Sequence, residues 1–216
     1  AGYVGAAIAL KCWAAQRKGG LCGSVRAYSD ADTLESQISD ALAAVLGEPP
    51  IALVVGAAGR VGTGATELCD AVGVSVNRWD LAETAHGGPF PEILDHDLFL
   101  NCVLAGPDTP VFVPSDTSTR DRRLAVIGDI SCDPESDYSP IKVYDRVTNW
   151  DSPALRVHQN PPLDVTAIDN LPSLLPTESS IDFAGQMLPS LSQLASLDAG
   201  VWARAKAAFD AAMARG

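Results

Sequence analysis

The chain has 216 residues, 47% of them apolar, and a formal net charge of −12. This length fits one large domain, or one domain and part of another, with enough apolar residues for a sizeable core. The acidic balance argues against a nucleic-acid-binding or anionic-membrane-binding surface, because both need clustered Lys and Arg. The sequence contains no run of 18 apolar residues, so we expect no membrane span.

The cysteines and histidines restrict the class of protein further. The cysteines form no C-x-x-C pair and lie mostly in apolar runs: Cys12, Cys22, Cys69, Cys102 and Cys132. An odd number of thiols in such positions indicates reduced, buried cysteines and a cytoplasmic location. The three histidines are widely dispersed, so no metal site is expected.

The first predicted elements are helices over residues 2–17 and 31–46. The first is apolar and begins without an initiator Met, and we interpret it as a buried helix whose upstream sequence is missing. The second has Ser29 or Asp30 as its N-cap and Gly47 as its stop. A strand over 51–56, a glycine turn and a helix over 61–72 follow.

Further strands are predicted over 74–79, 97–103 and 124–130, with weaker candidates over 142–148 and 154–158. The stretch 105–120 is rich in Pro, Asp and Thr, which favours a long loop with a short helix. This alternation predicts an α/β fold, a Rossmann-like doubly wound parallel sheet. Two helices without intervening strands complete the chain, and an apolar stripe on the second includes Trp202, Phe209 and Met213.

The glycines after the first strand run Gly56-x-x-Gly59-x-x-Gly62, a variant of the G-x-G-x-x-G dinucleotide fingerprint. Gly59 would let the backbone approach a pyrophosphate at the N-terminus of the next helix. Asp80 ends the second strand, 21 residues after Gly59 (80 − 59 = 21). A carboxylate there accepts hydrogen bonds from ribose hydroxyls and repels a 2′-phosphate, which favours NAD over NADP. The alternatives are a structural turn and a strand-ending aspartate.

Several segments resemble the NAD-dependent, lysine-forming saccharopine dehydrogenases: GAAGRVGTGA, WDLAETAHGGPF, NCVLAGP, RRLAVIGDISCDP and IDNLPSLLP. The resemblance continues to the closing VWARAKAAFDAAMAR. It implies a fold similar to that of alanine dehydrogenase. It also implies a reaction of lysine biosynthesis, in which saccharopine is oxidised by NAD and the resulting imine is hydrolysed to lysine and 2-oxoglutarate.

The resemblance also implies a domain arrangement. Family members have a first domain before the position of Ala1, and their chain returns at its end to complete that domain. Residues 1–171 would then be the NAD-binding domain with its bridging helix, and residues 172–216 would complete the missing first domain. The family's acid/base lysine and histidine lie in that first domain, so we expect no catalytic residue in this chain.

The binding residues implied by the resemblance form two groups. Those expected to bind NAD are Gly59, Arg60, Asp80, Thr84, Leu104, Ile130, Ile168, Asp169, Asn170 and Leu171. Those expected to bind saccharopine are Ser131, Cys132 and Asp133. Core packing is the alternative for the apolar positions, and a polar turn is the alternative for residues 131–133. An alanine-dehydrogenase-like oxidoreductase and a non-catalytic NAD-binding fragment remain alternative functions.

Overall fold

A computed structural model describes residues 1–214, which fall into two compact units. The first unit, Ala1–Leu175, contains a six-stranded sheet with helices, so the predicted α/β fold class is confirmed. The second unit begins at Pro176 and is helical.

The elements of the first unit follow the predicted alternation of helices and strands. Its helices are α1 (Gly2–Arg17), α2 (Ala31–Ala43), α3 (Arg60–Ala71) and α4 (Leu81–Thr84), with 3₁₀ helices at Pro91–Asp95, Ser115–Thr119 and Leu171–Leu174. Its strands are β1 (Ile51–Val55), β2 (Ser75–Trp79), β3 (Leu98–Asn101), β4 (Val126–Asp129), β5 (Leu155–Gln159) and β6 (Pro162–Thr166).

The sheet has the strand order β2-β1-β3-β4-β6-β5. All neighbouring pairs are parallel except β5 and β6, which form an antiparallel hairpin. The chain passes from β1 to β2 on one side and then to β3 on the other side of β1. This reversal leaves a crevice at the carboxyl ends of β1 and β3, where such sheets bind ligands.

Three local predictions differ from the structure. The strand predicted over 142–148 does not form in the first unit. Two isolated bridges occur at its ends instead, Val113↔Ile141 and Thr148↔Ile168. Strand β6 was not predicted, because it begins at a proline and contains a buried aspartate, Asp164. Helix α2 ends at Ala43 rather than at residue 46. Its N-cap is Asp30, one of the two predicted candidates.

The two faces of the sheet are covered differently. Leu98 and Leu100 of β3 belong to the core cluster that contains α1 and α3, whereas Phe99 faces the opposite cluster. That opposite cluster is completed by loop residues such as Phe90 and Phe112 and by Ile93 of a 3₁₀ helix. Proline-rich connections therefore replace α-helices on one face, since proline disfavours a helix interior.

Helix α1 is buried along nearly its whole length and packs closely against α3. A Cβ atom at Gly2 would lie 1.7 Å from the Val61 carbonyl oxygen, so the two helices can meet here only through glycine. Because Val61 is in the first turn of α3, this contact fixes the helix end that follows the glycine turn.

The second unit contains α5 (Pro176–Leu191) and α6 (Gly200–Met213). Trp202 Nε1 donates a hydrogen bond to the Ser190 carbonyl oxygen at 2.7 Å. Phe209 and Met213 of the predicted stripe are 64% and 67% exposed. Within residues 1–214, no helix is long and apolar enough to cross a bilayer.

Candidate functional site

The turn after β1 is closed by glycine backbone contacts. Gly56 has φ +82°, and a Cβ atom at Gly62 would lie only 2.1 Å from the Gly56 carbonyl oxygen. Gly59 is the N-cap of α3 and provides no side-chain hydrogen bond to the helix. The first-turn N–H groups of a helix have no intrahelical acceptor, so this uncapped end suits an anionic group.

Asp80 connects this turn to the short helix α4. Its Oδ2 accepts a hydrogen bond from the Ala58 N–H at 2.8 Å, and its Oδ1 accepts one from the Leu81 N–H at 2.9 Å. The Asp80 N–H donates to Glu83 Oε2 at 2.7 Å, which completes a capping box. The D-x-x-E spacing is the sequence signal for this helix start, which was not predicted.

A cavity of about 420 Å³ lies at the switch point of the sheet, and we call it the carboxyl-edge cavity. It brings together four of the predicted cofactor residues, Gly59, Asp80, Thr84 and Leu104. Thr84 Oγ1 donates to the Asp80 carbonyl oxygen at 3.0 Å, and the Leu104 side chain is 92% exposed. The cavity is large enough for part of a dinucleotide, since ligand sites measure about 300–1,000 Å³.

The predicted saccharopine residues follow β4 at the same edge of the sheet. The Ser131 hydroxyl donates to the carbonyl oxygen of Val103, which lines the carboxyl-edge cavity. Cys132 has φ 52°, a left-handed conformation that is uncommon outside glycine. Burial and the nearby carboxylates of Asp129 and Asp169 raise the pKa of the Cys132 thiol to about 12. The thiol is therefore protonated at neutral pH and is not a nucleophile.

A buried polar network supports this turn from below. Asp129 is 2% exposed and accepts hydrogen bonds from Asn101 Nδ2 at 3.0 Å, from the Tyr144 hydroxyl at 2.6 Å and from the Cys132 N–H at 3.2 Å. Burial and the Asp129 carboxylate raise the pKa of Tyr144 far above its usual value. These residues were not predicted from the sequence, although the polar ends of two buried strands, LFLN and VIGD, were a signal.

The remaining predicted cofactor residues lie outside the lining of the carboxyl-edge cavity. Ile130 and Leu171 both approach Gly5 of α1, and Leu171 and Ile168 are each 3% exposed, so all three pack in the core cluster or against it. The other three are exposed: Asp169, Asn170, whose Oδ1 accepts a hydrogen bond from Ser173 Oγ, and Arg60 at the start of α3.

The three histidines each contact a structural partner. His96 precedes β3, and one of its ring nitrogens lies 2.6 Å from Asn77 Nδ2. His158 is in β5, and His86 packs against the Phe90 ring. Within the described chain, no group of three or more His, Cys, Asp or Glu residues could hold a metal ion.

Comparison with known proteins extends over nearly the whole chain. A Yarrowia lipolytica "saccharopine dehydrogenase [NAD(+), L-lysine-forming]" is 42% identical over 97% of this chain, and a Neurospora crassa protein of that name is 40% identical over 97%. A Candida albicans protein of the same name is 37% identical over 100% of this chain. This chain is homologous to part of the saccharopine dehydrogenases.

The similarity covers nearly all of this chain but only part of each relative. The chain spans about 60% of the length of the relatives from Yarrowia lipolytica and Neurospora crassa, and 62% of the length of the relative from Candida albicans. No protein-family model matches the chain. The resemblance to saccharopine dehydrogenases that the motifs predict is confirmed.

Proposed function

We propose that this chain is the NAD-binding part of a lysine-forming saccharopine dehydrogenase. The observation that carries the proposal is its similarity, over 97–100% of its own length, to proteins of that name. The whole protein would oxidise saccharopine with NAD and release L-lysine and 2-oxoglutarate, as a step of lysine biosynthesis. It would be an oxidoreductase acting on a CH–NH group.

The carboxyl-edge cavity is proposed to hold the adenosine half of NAD. The pyrophosphate would lie at the uncapped end of α3, beside Gly59 and Arg60, where helix N–H groups favour negative charge. Asp80, Thr84 and Leu104 all line this cavity, Asp80 and Thr84 after β2 and Leu104 in the loop after β3. Asp80 would accept hydrogen bonds from the ribose hydroxyls, and its charge would disfavour the 2′-phosphate of NADP.

The nicotinamide half is proposed to lie nearer to β4 and β6. Ile130 follows β4, and residues 168–171 follow β6, which is the parallel neighbour of β4. Ile168 and Leu171 would provide the apolar floor from the core, with the exposed Asp169 and Asn170 at the rim. Saccharopine would bind next to this half, at the turn formed by Ser131, Cys132 and Asp133.

The proposed domain division assigns residues 1–171 to NAD binding and residues 172–216 to a first domain whose remainder lies outside this chain, although the first compact unit extends to Leu175. Two features support it. The relatives are longer than this chain, and the second unit has exposed apolar side chains on α5 and α6. The family's acid/base lysine and histidine would belong to that first domain, so no residue of this chain is assigned the proton transfers.

The test separates binding from turnover. Fluorescence titration of the 216-residue chain with NADH should give saturable binding, and addition of saccharopine and NAD should give no NADH. Positioned acid/base groups each contribute roughly 10²–10⁴-fold, so their loss should abolish measurable turnover. Robust turnover of saccharopine by this chain alone would contradict the assignment of the acid/base groups.

Substrate assays of the full-length protein distinguish the proposed activity from its two alternatives. Oxidation of saccharopine by NAD, without turnover of alanine or pyruvate, is the expected result. Turnover of alanine and pyruvate alone would favour an alanine-dehydrogenase-like enzyme. NADH binding without activity on either substrate would favour a non-catalytic NAD-binding protein.

A further inference from the structure

A second cavity, of about 460 Å³, lies at the opposite edge of the sheet from the proposed cofactor site. Its walls come from the last turns of α1 and from the residues that precede or begin β3, β4 and β6. We call it the amino-edge cavity. Its lining includes no residue that was assigned above to NAD or saccharopine.

Two residues of this lining each carry a buried hydrogen-bond donor that lacks an acceptor. The donors are Trp13 Nε1 and Arg122 Nε, and neither has a partner within residues 1–214. Trp13 is only 2% exposed, so bulk solvent does not satisfy its N–H group. Nearly all buried polar groups in native proteins are hydrogen-bonded, to protein or to a bound molecule, so two exceptions in one cavity point to an acceptor inside it.

The acceptor is expected to be negatively charged, because Arg122 has no carboxylate partner in the described chain. Its Nη1 and Nη2 atoms donate only to backbone carbonyl oxygens, including that of Pro161 at 2.6 Å. Burial lowers the pKa of Arg122, as expected for a cation without an anion beside it. A bound anion would relieve this cost.

The other charged groups leave the cavity positive. Asp97 is already paired with Arg123, through an Nη2···Oδ2 distance of 2.7 Å, and it also accepts the Ile51 N–H at 2.8 Å. The Arg17 guanidinium lies 5.6 Å from the centre of the Trp13 ring, and its charge offsets the partial negative charge of the α1 C-terminus. Glu48, at the exposed rim, is the remaining acid of the lining.

We propose that the amino-edge cavity binds a small oxyanion, a carboxylate or phosphate group. This group accepts hydrogen bonds from Trp13 Nε1 and Arg122 Nε and is attracted by Arg17. The apolar part of the wall, with Leu124 and Pro162, accommodates a short hydrocarbon segment attached to the anion. The site is independent of the proposed NAD and saccharopine sites, which lie at the other edge of the sheet.

Calorimetric titration of the 216-residue chain with glutarate and with inorganic phosphate tests the proposal, in the presence of saturating NADH so that the end of α3 is occupied. We expect saturable binding of at least one anion. Trp13→Phe removes the indole N–H together with the five-membered ring that carries it, and Arg17→Gln removes the charge. Each should weaken binding about tenfold, the effect of losing one charge-assisted hydrogen bond or ion pair. The tighter of the two anions identifies the class of ligand.

Arg146→Gln is the matched control, because Arg146 is an exposed arginine outside the cavity, and it should bind the anions as the parent chain does. Without an anion, Trp13→Phe should lower the urea midpoint, because the smaller ring leaves a gap in the core cluster to which Trp13 belongs. NADH affinity should be the same in all variants. Failure of both anions to bind saturably, or binding that Trp13→Phe and Arg17→Gln leave unchanged, would overturn the proposal.

Discussion

Asn101 and Asp129 are directly opposite each other at the ends of the parallel strands β3 and β4, and Asn101 Nδ2 donates to Asp129 Oδ1 at 3.0 Å. Parallel pairing places the carboxyl ends of both strands at the same edge, so two polar strand ends become one buried pair. The pair holds the first turn after β4, because Asp129 Oδ1 also accepts the Cys132 N–H. The geometry of the proposed saccharopine turn therefore depends on residues that need not touch saccharopine.

Removal of the Tyr144 hydroxyl tests this support. Tyr144→Phe leaves Asp129 Oδ2 buried without its 2.6 Å partner, so the free energy of unfolding should fall by about 1–3 kcal/mol. Urea denaturation measures the change. Tyr138→Phe is the control, since Tyr138 is 48% exposed, and it should change stability by less than about 0.5 kcal/mol. Equal stability of the two variants would show that the network contributes nothing.

The glycine turn can be tested by adding one methyl group at either of two positions. Gly62→Ala puts a Cβ atom 2.1 Å from the Gly56 carbonyl oxygen, and overpacking of this kind costs about 1–3 kcal/mol or more. Gly59→Ala puts it 3.2 Å from the same oxygen at an ordinary φ of −74°, so the fold should tolerate it better.

Gly59→Ala should instead weaken NADH binding, because the methyl group stands where the pyrophosphate is proposed to approach. Urea denaturation and fluorescence titration of both variants separate the two effects. Gly23→Ala is the control, since a Cβ atom there meets nothing within 4 Å. The assignment of Gly59 to the pyrophosphate fails if its variant binds NADH as the parent chain does.

The cofactor preference depends on Asp80. Asp80→Ala should weaken NAD binding by about 1–3 kcal/mol, the range for hydrogen bonds to a charged acceptor, and should relax discrimination against NADP. Because Asp80 also caps α4, Glu83→Gln is the control, as it weakens the capping box and keeps the Asp80 carboxylate. Calorimetry that finds unchanged NAD affinity in Asp80→Ala would refute the ribose assignment.

The buried thiols should make stability depend on pH in the alkaline range. Burial raises the pKa of Cys69 to about 12 in the folded chain, from an ordinary value near 9. A raised pKa means that the thiol's contribution is fully present below pH 9 and is lost as pH rises from about 9 to about 12. For one such thiol the loss at pH 10 is about 1.4 kcal/mol.

Urea denaturation at pH 8 and pH 10 measures this dependence. The free energy of unfolding should fall less between the two pH values in Cys69→Ala than in the parent chain. An equal fall in the two proteins would contradict the assignment of the raised pKa to Cys69.

Mass measurement after unfolding and alkylation should count five thiols, because all five cysteines are free. A disulfide in that measurement would contradict the expectation of reduced cysteines.

The exposed apolar side chains of α6 should cause self-association. Phe209 and Met213 are one helical turn apart and are 64% and 67% exposed. They therefore form part of an exposed apolar patch that favours association in water. Analytical ultracentrifugation of this chain should show a mass that rises with concentration, and Phe209→Ser should reduce the rise. Lys206→Ser, on the same helix, is the polar control. A concentration-independent monomer would refute the prediction.

Local sequence patterns determined most of the secondary structure of the first unit. The apolar run Ile51–Val55, the glycine spacing that begins at Gly56 and the cap at Asp30 each specify their element through near neighbours. Long specific motifs likewise predicted the homology with saccharopine dehydrogenases. These features were readable because each depends on residues within one or two turns of one another.

Tertiary structure decided what no local pattern contains. Strand β6 forms in spite of Pro162 and Asp164, because Arg156 of the neighbouring β5 donates to the buried Asp164 at 2.8 Å and Gln16 of α1 donates to it at 2.9 Å. The network around Asp129 and the bond from Ala58 to Asp80 also join distant parts of the chain, and the lining of the amino-edge cavity brings Trp13 and Arg122 together. Burial of a polar group is favourable only when a partner meets it in space, and the sequence alone does not show where distant partners meet.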